Sequence, residues 1–134
     1  MIAVSACLAG CRCRYDGDSK TDQEIVALVK TGNACLICPE QLGGLPTPRP
    51  PAELVGDRVI NNKGEDVTEY FERGAKATLA LLRDLGVKQA ILKAHSPSCG
   101  CSCVYDGSFT GTLIPGMGLT ARLLSENGIS VAER

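Results

Sequence analysis

The sequence lacks the features of several large classes of protein. It has no excess of charge of one sign, since 14 basic residues face 15 acidic ones and the formal net charge is -1. Nucleic acid polymers are therefore disfavoured as partners, because their phosphates require a basic surface. No apolar run reaches the ~18 residues of a membrane span, and no basic segment precedes the short apolar start of the chain. We expect a cytoplasmic protein without a membrane anchor.

The chain also lacks a glycine-rich phosphate loop, since the glycines at 116 and 118 precede the last predicted helix and lack the rest of that motif. No internal repeat or low-complexity tract divides the 134 residues. This length fits one domain, residues 1–134, that buries its own core without a structural metal. A metal would therefore serve chemistry rather than hold the fold.

Cysteine, in contrast, is abundant, with 8 residues in the chain. The reducing cytoplasm disfavours structural disulfides, so metal ligation or sulfur chemistry explains this number better. The spacings C-x-x-x-C-x-C, from Cys7 to Cys13, and C-x-C-x-C, from Cys99 to Cys103, do not match the cysteine runs of ferredoxins. Simple electron transfer is therefore not indicated.

Four short apolar runs predict strands that are buried on both faces, as in parallel sheets. They are Ile2–Ser5, Ala34–Ile37, Gln89–Ala94 and Ile129–Ala132. Helical patterns lie between them, beginning at the capping boxes of residues 21–24 and 66–69 and covering residues 119–126. The alternation of strands and helices predicts an α/β three-layer sandwich with a mainly parallel central sheet.

Two segments interrupt this alternation. Residues 43–51 are rich in proline, which removes backbone donors, so we expect a stiff extended loop there. Residues 104–113 predict a small hairpin that turns around Tyr105–Ser108.

Three cysteines follow three successive predicted strands: Cys7, Cys38 and Cys99. Ligands of open parallel sheets bind beyond the carboxyl ends of the strands, so we expect the three thiols to converge on one rim. Any one of them alone would more often be a small packing residue. Their coincidence at three strand ends favours a joint metal role.

The other cysteines are interpreted as packing or secondary thiols. Cys35 and Cys38 form a C-x-x-C, but side chains three apart on a strand point to opposite faces, which disfavours a zinc knuckle. A thioredoxin-like pair is also disfavoured, because we expect no helix after Cys38. Of the remaining thiols, we expect Cys11, Cys101 and Cys103 to lie nearest the site, ahead of Cys13.

Several polar residues are candidates for the same rim. Glu40 follows Cys38 by two positions and could present a carboxyl group there, although a solvated loop glutamate is the alternative. The single histidine, His95, is expected to be structural. Three basic residues could orient a polar substrate or could be ordinary surface charges: Arg14, Arg49 and Lys93.

Six motifs spread over nearly the whole chain resemble the signature of the thiouracil desulfurase family. They are Val4–Gly10, Cys13–Gly17, Cys38–Glu40, Gly43–Arg49, Ser96–Gly100 and Tyr105–Gly107. The resemblance implies a Rossmann-like α/β fold and a [4Fe-4S] cluster bound by only three cysteines, which it assigns to Cys7, Cys38 and Cys99. It also implies that Glu40 is the catalytic acid–base and Ser96 its polar partner.

The expected activity is a non-redox desulfuration of a thiolated pyrimidine such as 2-thiouracil, giving uracil and hydrogen sulfide. An iron without a protein ligand would bind the thiocarbonyl sulfur, unless one of the extra thiols at positions 11, 13, 101 and 103 caps that iron. Two alternatives stay open: a structural zinc protein, and a thiol-based sulfur carrier that needs no metal.

Overall fold

The computed structural model describes residues 1–134, which fold around a parallel sheet. The strands are Ile2–Ser5 (β1), Ala34–Ile37 (β2), Ala52–Val55 (β3), Arg58–Asn61 (β4), Gln89–Leu92 (β5), Cys103–Tyr105 (β6), Leu113–Pro115 (β7) and Ser130–Glu133 (β8). The helices are Gln23–Lys30 (α1), Pro39–Leu42 (α2), Thr68–Leu85 (α3) and Leu119–Glu126 (α4), and a single 3-10 turn covers Ala6–Ala9.

The central sheet has the strand order β2-β1-β5-β8, and all of its pairs are parallel. β1 is a central strand, since it pairs with β2 from Ile2 to Ser5 and with β5 through Ala3 and Val4. The four strands predicted from the apolar runs are therefore confirmed, although β5 ends two residues earlier than predicted and β8 begins one residue later.

Helices cover both faces of this sheet. Alternate side chains of a strand point in opposite directions, so the apolar strands present side chains to be buried on each face. Ala3 faces α3 and α4, where Leu82 and Leu124 are fully buried in the larger core cluster. Val4 faces the other way and packs in a second cluster with Ile25 of α1. The predicted three-layer, Rossmann-like sandwich is confirmed.

The long helix α3 begins and ends close to the predicted residues. The N-cap residue is Val67, which makes no side-chain cap hydrogen bond, so the predicted capping box does not form. The carboxylate of Asp66, one residue earlier, instead accepts a hydrogen bond of 3.0 Å from the backbone N–H of Thr68. Gly86 ends the helix in the left-handed conformation, with φ of 68°. Neither α3 nor any shorter helix is long and apolar enough to cross a membrane.

Two antiparallel hairpins lie outside the central sheet. β6 and β7 form the predicted hairpin, but the strands are farther apart in sequence, so residues 106–112 make a longer tip than expected. The hairpin of β3 and β4 was not predicted from the sequence. Its two-residue turn at Gly56 and Asp57, with Gly56 at φ of 62°, is a recognisable hairpin signal.

The proline-rich segment at residues 43–51 contains no helix or strand, as predicted. The expectation that no helix follows Cys38 is wrong, because α2 begins at Pro39 and makes one turn. Close packing against α3 keeps this turn in place. A Cβ atom at Gly74 would lie 2.0 Å from the carbonyl oxygen of Pro39, so α2 sits where only glycine fits on α3.

Candidate active site

A cavity of about 420 Å³ lies beyond the carboxyl ends of β1, β2 and β5. Cys7, Cys38 and Cys99 all line it, as does Glu40. The structure therefore brings together the three thiols that follow successive strands, at the edge where open parallel sheets bind ligands. No three histidine, cysteine, aspartate or glutamate side chains lie close enough to hold a single metal ion.

Local geometry presents Cys7 and Cys38 directly after their strands. Cys7 lies in the 3-10 turn that follows β1, and its carbonyl oxygen accepts a 2.9 Å hydrogen bond from the N–H of Lys20. Cys38 is the N-cap residue of α2, with Pro39 in the first helical position. The contact of α2 with Gly74 thus fixes the position of Cys38 and, two residues later, that of Glu40.

The loop that carries Cys99 is held by the start of α4. The N–H groups of Leu119 and Ala121 donate to the carbonyl oxygens of Pro97 and Ser98, at 2.9 and 3.0 Å. A Cβ atom at Gly118 would lie 2.4 Å from the carbonyl carbon of Ser98, so glycine is required for this approach. Gly118 therefore has a packing role in the site, although it belongs to no phosphate loop.

The three thiols differ in their electrostatic surroundings. The thiol of Cys13 hydrogen-bonds to Cys7 and lowers its pKa against the effect of burial. Cys38 has a raised pKa, chiefly because of its hydrogen bond to Cys13 and secondly because of burial. Burial raises the pKa of Cys99 to about 11, although the hydroxyls of Ser5 and Ser98 oppose the shift. Metal binding would deprotonate these thiols and release protons.

Two hydroxyl groups approach the sulfur of Cys99. The Oγ atoms of Ser5 and Ser98 each lie 3.6 Å from this Sγ atom. The Ser5 hydroxyl donates to it, whereas the single proton of the Ser98 hydroxyl goes to the shorter bond, of 2.8 Å, with Glu40. Ser5 also accepts a 2.9 Å hydrogen bond from the backbone N–H of Lys93, which orients its hydroxyl. Cys99 thus has polar neighbours suited to a thiolate, although the residue is buried and only 4% of its surface is exposed.

Glu40 is fixed at the cavity wall by two side chains. Its Oε1 atom accepts a 2.9 Å hydrogen bond from Nε of Arg49, and its Oε2 atom accepts one of 2.8 Å from the hydroxyl of Ser98. The Arg49 side chain is 5% exposed and that of Glu40 is 15% exposed. The carboxylate of Glu40 is therefore a held, nearly buried group, and the alternative of a solvated loop glutamate is wrong.

Ser96 was expected to be the polar partner of Glu40, but it contacts Ser98 and not Glu40 itself. Its Oγ atom accepts a 2.7 Å hydrogen bond from the N–H of Cys99 and lies 3.2 Å from the Oγ atom of Ser98. Ser98, which sequence reasoning did not select, makes the direct contact with Glu40. The three residues form a chain of hydroxyl and carboxyl groups along the cavity.

Arg49 connects three parts of the site, so the alternative of a surface charge is wrong for this residue. Besides Glu40, it donates to the Pro46 carbonyl and the Thr47 hydroxyl, at 3.2 and 3.0 Å. A fourth bond of 2.9 Å reaches the carbonyl oxygen of Cys13. A planar guanidinium can make these bonds at once, whereas an ammonium group cannot.

The structure corrects the expectation about the secondary thiols. Cys13 is buried and lines the cavity, whereas none of Cys11, Cys101 and Cys103 lines it. Cys11 is exposed, and Cys101 packs against the larger core cluster. Cys35 also packs against that cluster and is absent from the cavity wall, which agrees with the strand geometry that turns it away from Cys38.

The remaining basic candidates also reach the cavity. Arg14, Lys93 and His95 line it. Burial is the main cause that lowers the pKa of Lys93, whose Nζ atom donates a 3.1 Å hydrogen bond to the carbonyl of Ala94. His95 has φ of 71°, and its ring packs edge-on against Tyr105 with the centroids 6.0 Å apart. These packing contacts fit the predicted structural role of the histidine.

Comparisons with known proteins agree with this architecture. The family model described as 2-thiouracil desulfurase matches residues 2–134. The uncharacterized protein YbbK of Bacillus subtilis (strain 168) is 43% identical over 141 residues, covering 98% of this chain and 93% of that protein. The solved structure of the [4Fe-4S]-dependent thiouracil desulfidase TudS superposes with a TM-score of 0.95 at 47% identity, covering 99% of this chain and 89% of that one. The match confirms what the six motifs indicated: the chain belongs to the 2-thiouracil desulfurase family.

Proposed function

We propose that this protein removes sulfur from a thiolated pyrimidine such as 2-thiouracil, using a [4Fe-4S] cluster held by Cys7, Cys38 and Cys99. The observation that carries the proposal is the shared cavity, in which these three thiols and the carboxylate of Glu40 face the same space. The family and the [4Fe-4S]-dependent relative TudS support the activity and the cofactor.

The donor set fits an iron–sulfur cluster better than a single zinc ion. Three cysteine thiols are soft ligands of the type that clusters use. They line one cavity, yet no three potential ligands in the chain meet around a single point. A cluster spreads its thiolates over several irons, whereas a structural zinc site gathers four ligands around one ion. The family match and the [4Fe-4S]-dependent relative likewise favour a cluster over the zinc alternative.

The proposed reaction is a hydrolysis: water adds to the thiocarbonyl carbon, the carbon–sulfur bond breaks, and uracil and hydrogen sulfide leave. A four-iron cluster held by Cys7, Cys38 and Cys99 alone would leave one iron open, and that iron would be a soft Lewis acid toward the thiocarbonyl sulfur. Atoms and charges balance with water as the only co-substrate. No electron donor is needed.

Glu40 is the proposed general acid–base. Its carboxylate faces the cavity and can take a proton from the attacking water, then return a proton to the departing sulfur or to a ring nitrogen. Arg49 and Ser98 hold its two oxygens at 2.9 and 2.8 Å, so the carboxylate cannot rotate freely away from the substrate. Ser96 is proposed to orient the ring or to pass a proton through Ser98.

We further propose that the protein works on a small molecule in the reducing cytoplasm. All eight cysteines are free in the structure, and such thiols stay reduced in that compartment.

The test is an anaerobic assay of uracil and sulfide released from 2-thiouracil by the reconstituted protein. The Glu40→Gln variant should retain the iron–sulfur spectrum and bind the base, but turn over about 10²–10⁴ times more slowly, because an amide cannot transfer the proton. Ser96→Ala should be the milder change if Ser96 only orients the ring. Full activity of Glu40→Gln with an intact cluster would remove Glu40 from the mechanism.

A further inference from the structure

The mouth of the cavity is lined with aromatic side chains, although the chain contains few of them. There are three tyrosines, two phenylalanines and no tryptophan in the sequence. Tyr15, Tyr105 and Phe109 all line the cavity, at positions far apart in the chain. Such a concentration around one cavity suits a planar ring as the ligand.

Two of these rings already have partners. The guanidinium of Arg14 lies over the ring of Tyr15, 5.7 Å from its centroid. The ring of Tyr105 packs edge-on against His95. Phe109 makes neither an aromatic nor a cation–π contact and is 39% exposed. Its ring is therefore the aromatic surface at the mouth that is free to accept a base.

The backbone of Phe109 is held in a strained conformation. Its φ of 57° lies in the left-handed region, which bulky side chains rarely adopt and which costs free energy. Strain of this kind persists only where surrounding contacts enforce it, and it concentrates at sites that clamp ligands. The contacts of the hairpin tip show how it is enforced here.

The β3 strand supplies the first set of contacts. Oε1 of Glu53 accepts hydrogen bonds from the backbone N–H groups of Gly107 and Phe109, at 3.0 and 3.1 Å. A Cβ atom at Gly107 would lie 2.7 Å from the carbonyl oxygen of Leu54, so the tip is pressed against β3. The carboxylate of Glu53 therefore anchors the backbone of Phe109.

A row of hydroxyl groups stiffens the tip from within. Oδ1 of Asp106 accepts hydrogen bonds from the N–H and the hydroxyl of Ser108, at 2.9 and 2.5 Å. The row continues from Ser108 to Thr110 at 2.6 Å and from Thr110 to Thr112 at 2.9 Å. The tip is thus preorganised, which reduces the entropy lost when a ligand binds against it.

We propose that Phe109 is a specificity-determining residue: its ring stacks on the planar thiolated base and makes the site selective for aromatic over saturated ring thiocarbonyls. This inference rests on the proposed desulfuration and adds the residue that selects its substrate. Stacking of an aromatic side chain on a base contributes about 1–3 kcal/mol, which corresponds to about 5- to 150-fold in binding. Glu53 anchors the backbone of Phe109 through the hydrogen bond described above.

The first experiment compares turnover of 2-thiouracil with that of 5,6-dihydro-2-thiouracil, whose saturated ring cannot stack as a flat π system. Phe109→Leu should reduce the preference for 2-thiouracil about 5- to 150-fold, mainly through a higher KM, because an aliphatic side chain keeps the apolar area and loses the π face. Phe109→Tyr should retain the preference. The control is Leu113→Ala, on the same hairpin but outside the cavity wall. An unchanged preference in Phe109→Leu would overturn the inference.

The second experiment detects ligand binding by fluorescence rather than by product release, and uses the absence of natural tryptophan. Phe109→Trp in the reconstituted protein should show saturable fluorescence quenching by 2-thiouracil, whereas Leu113→Trp should show only the quenching that follows from absorption by the ligand. Equal quenching in both variants would overturn the stacking role, whatever the activity. Saturable quenching confined to Phe109→Trp, in a protein that releases no sulfide, would refute the proposed function and leave the stacking role intact.

Discussion

The ion pair between Arg49 and Glu40 gives a prediction that concerns the stability of the chain. Replacement by alanine, Arg49→Ala, removes four hydrogen bonds that join Glu40, the 46–47 segment and the Cys13 carbonyl. The Glu40 carboxylate would then lie beside the cavity with 15% of its side chain exposed and without its counter-ion. Only the hydroxyl of Ser98 would still bind it.

The magnitude follows from this burial. Removing one partner of a buried ion pair costs about 3–5 kcal/mol, because the other charge stays desolvated and uncompensated. We expect the lower end, about 3 kcal/mol of unfolding free energy, since Glu40 keeps some contact with water and with Ser98. Arg49→Lys should recover part of the loss, because an ammonium group restores the charge without the planar arrangement of donors.

The assay is equilibrium urea unfolding of the reduced, cluster-free chain under anaerobic conditions, because a bound cofactor makes a two-state analysis invalid. Arg58→Ala is a matched control. Its Nε atom also lies 2.9 Å from a carboxylate, that of Asp66, but the two side chains are 55% and 43% exposed. Little effect is expected there. Similar losses of stability in Arg49→Ala and Arg58→Ala would refute the reasoning from burial.

Two further predictions concern the residues that place the proposed catalytic groups. Ser98→Ala removes the donor to Glu40 and should lower turnover about 10- to 100-fold at unchanged iron content, as expected for a hydrogen bond to a charged group; normal turnover would assign the hydroxyl a packing role. Gly74→Ala introduces a Cβ atom 2.0 Å from the Pro39 carbonyl, so α2 must move with Cys38 and Glu40. We expect a loss of about 1–3 kcal/mol in urea unfolding together with lower activity, and a variant as stable and active as the parent would contradict the packing of α2 against α3.

Much of the sheet could be predicted from sequence because its strands are short apolar runs bounded by turn residues. The predicted ends of Ile2–Ser5 and Ala34–Ile37 match the observed ones. The parallel direction of the strands follows from the helices that connect them. The turn α2 escaped prediction because four residues between a cysteine and two glycines carry no periodic pattern. The β3–β4 hairpin has a turn signal at Gly56 and Asp57, but Glu53, Arg58 and Asn61 interrupt its strands, so neither strand forms an apolar run.

In the candidate site too, some features could be predicted from the sequence and others could not. The strand ends placed Cys7, Cys38 and Cys99 on one rim, because the carboxyl ends of parallel strands meet at one edge of a sheet. The contacts of Glu40 with Ser98 and Arg49 depend on loops that tertiary packing brings together, and no local pattern encodes them. The cavity position of Cys13 likewise depends on how the loop after the 3-10 turn folds back.

Iron bound per chain after anaerobic reconstitution tests the central claim most directly, measured in four alanine variants of Cys7, Cys35, Cys38 and Cys99. Replacing any of the three cavity cysteines should abolish the iron–sulfur spectrum and the release of sulfide from 2-thiouracil. Cys35→Ala should keep both, because Cys35 packs against the core and does not line the cavity. A full cluster in a variant that lacks one of the three cavity thiols, or iron loss in Cys35→Ala equal to theirs, would contradict the account.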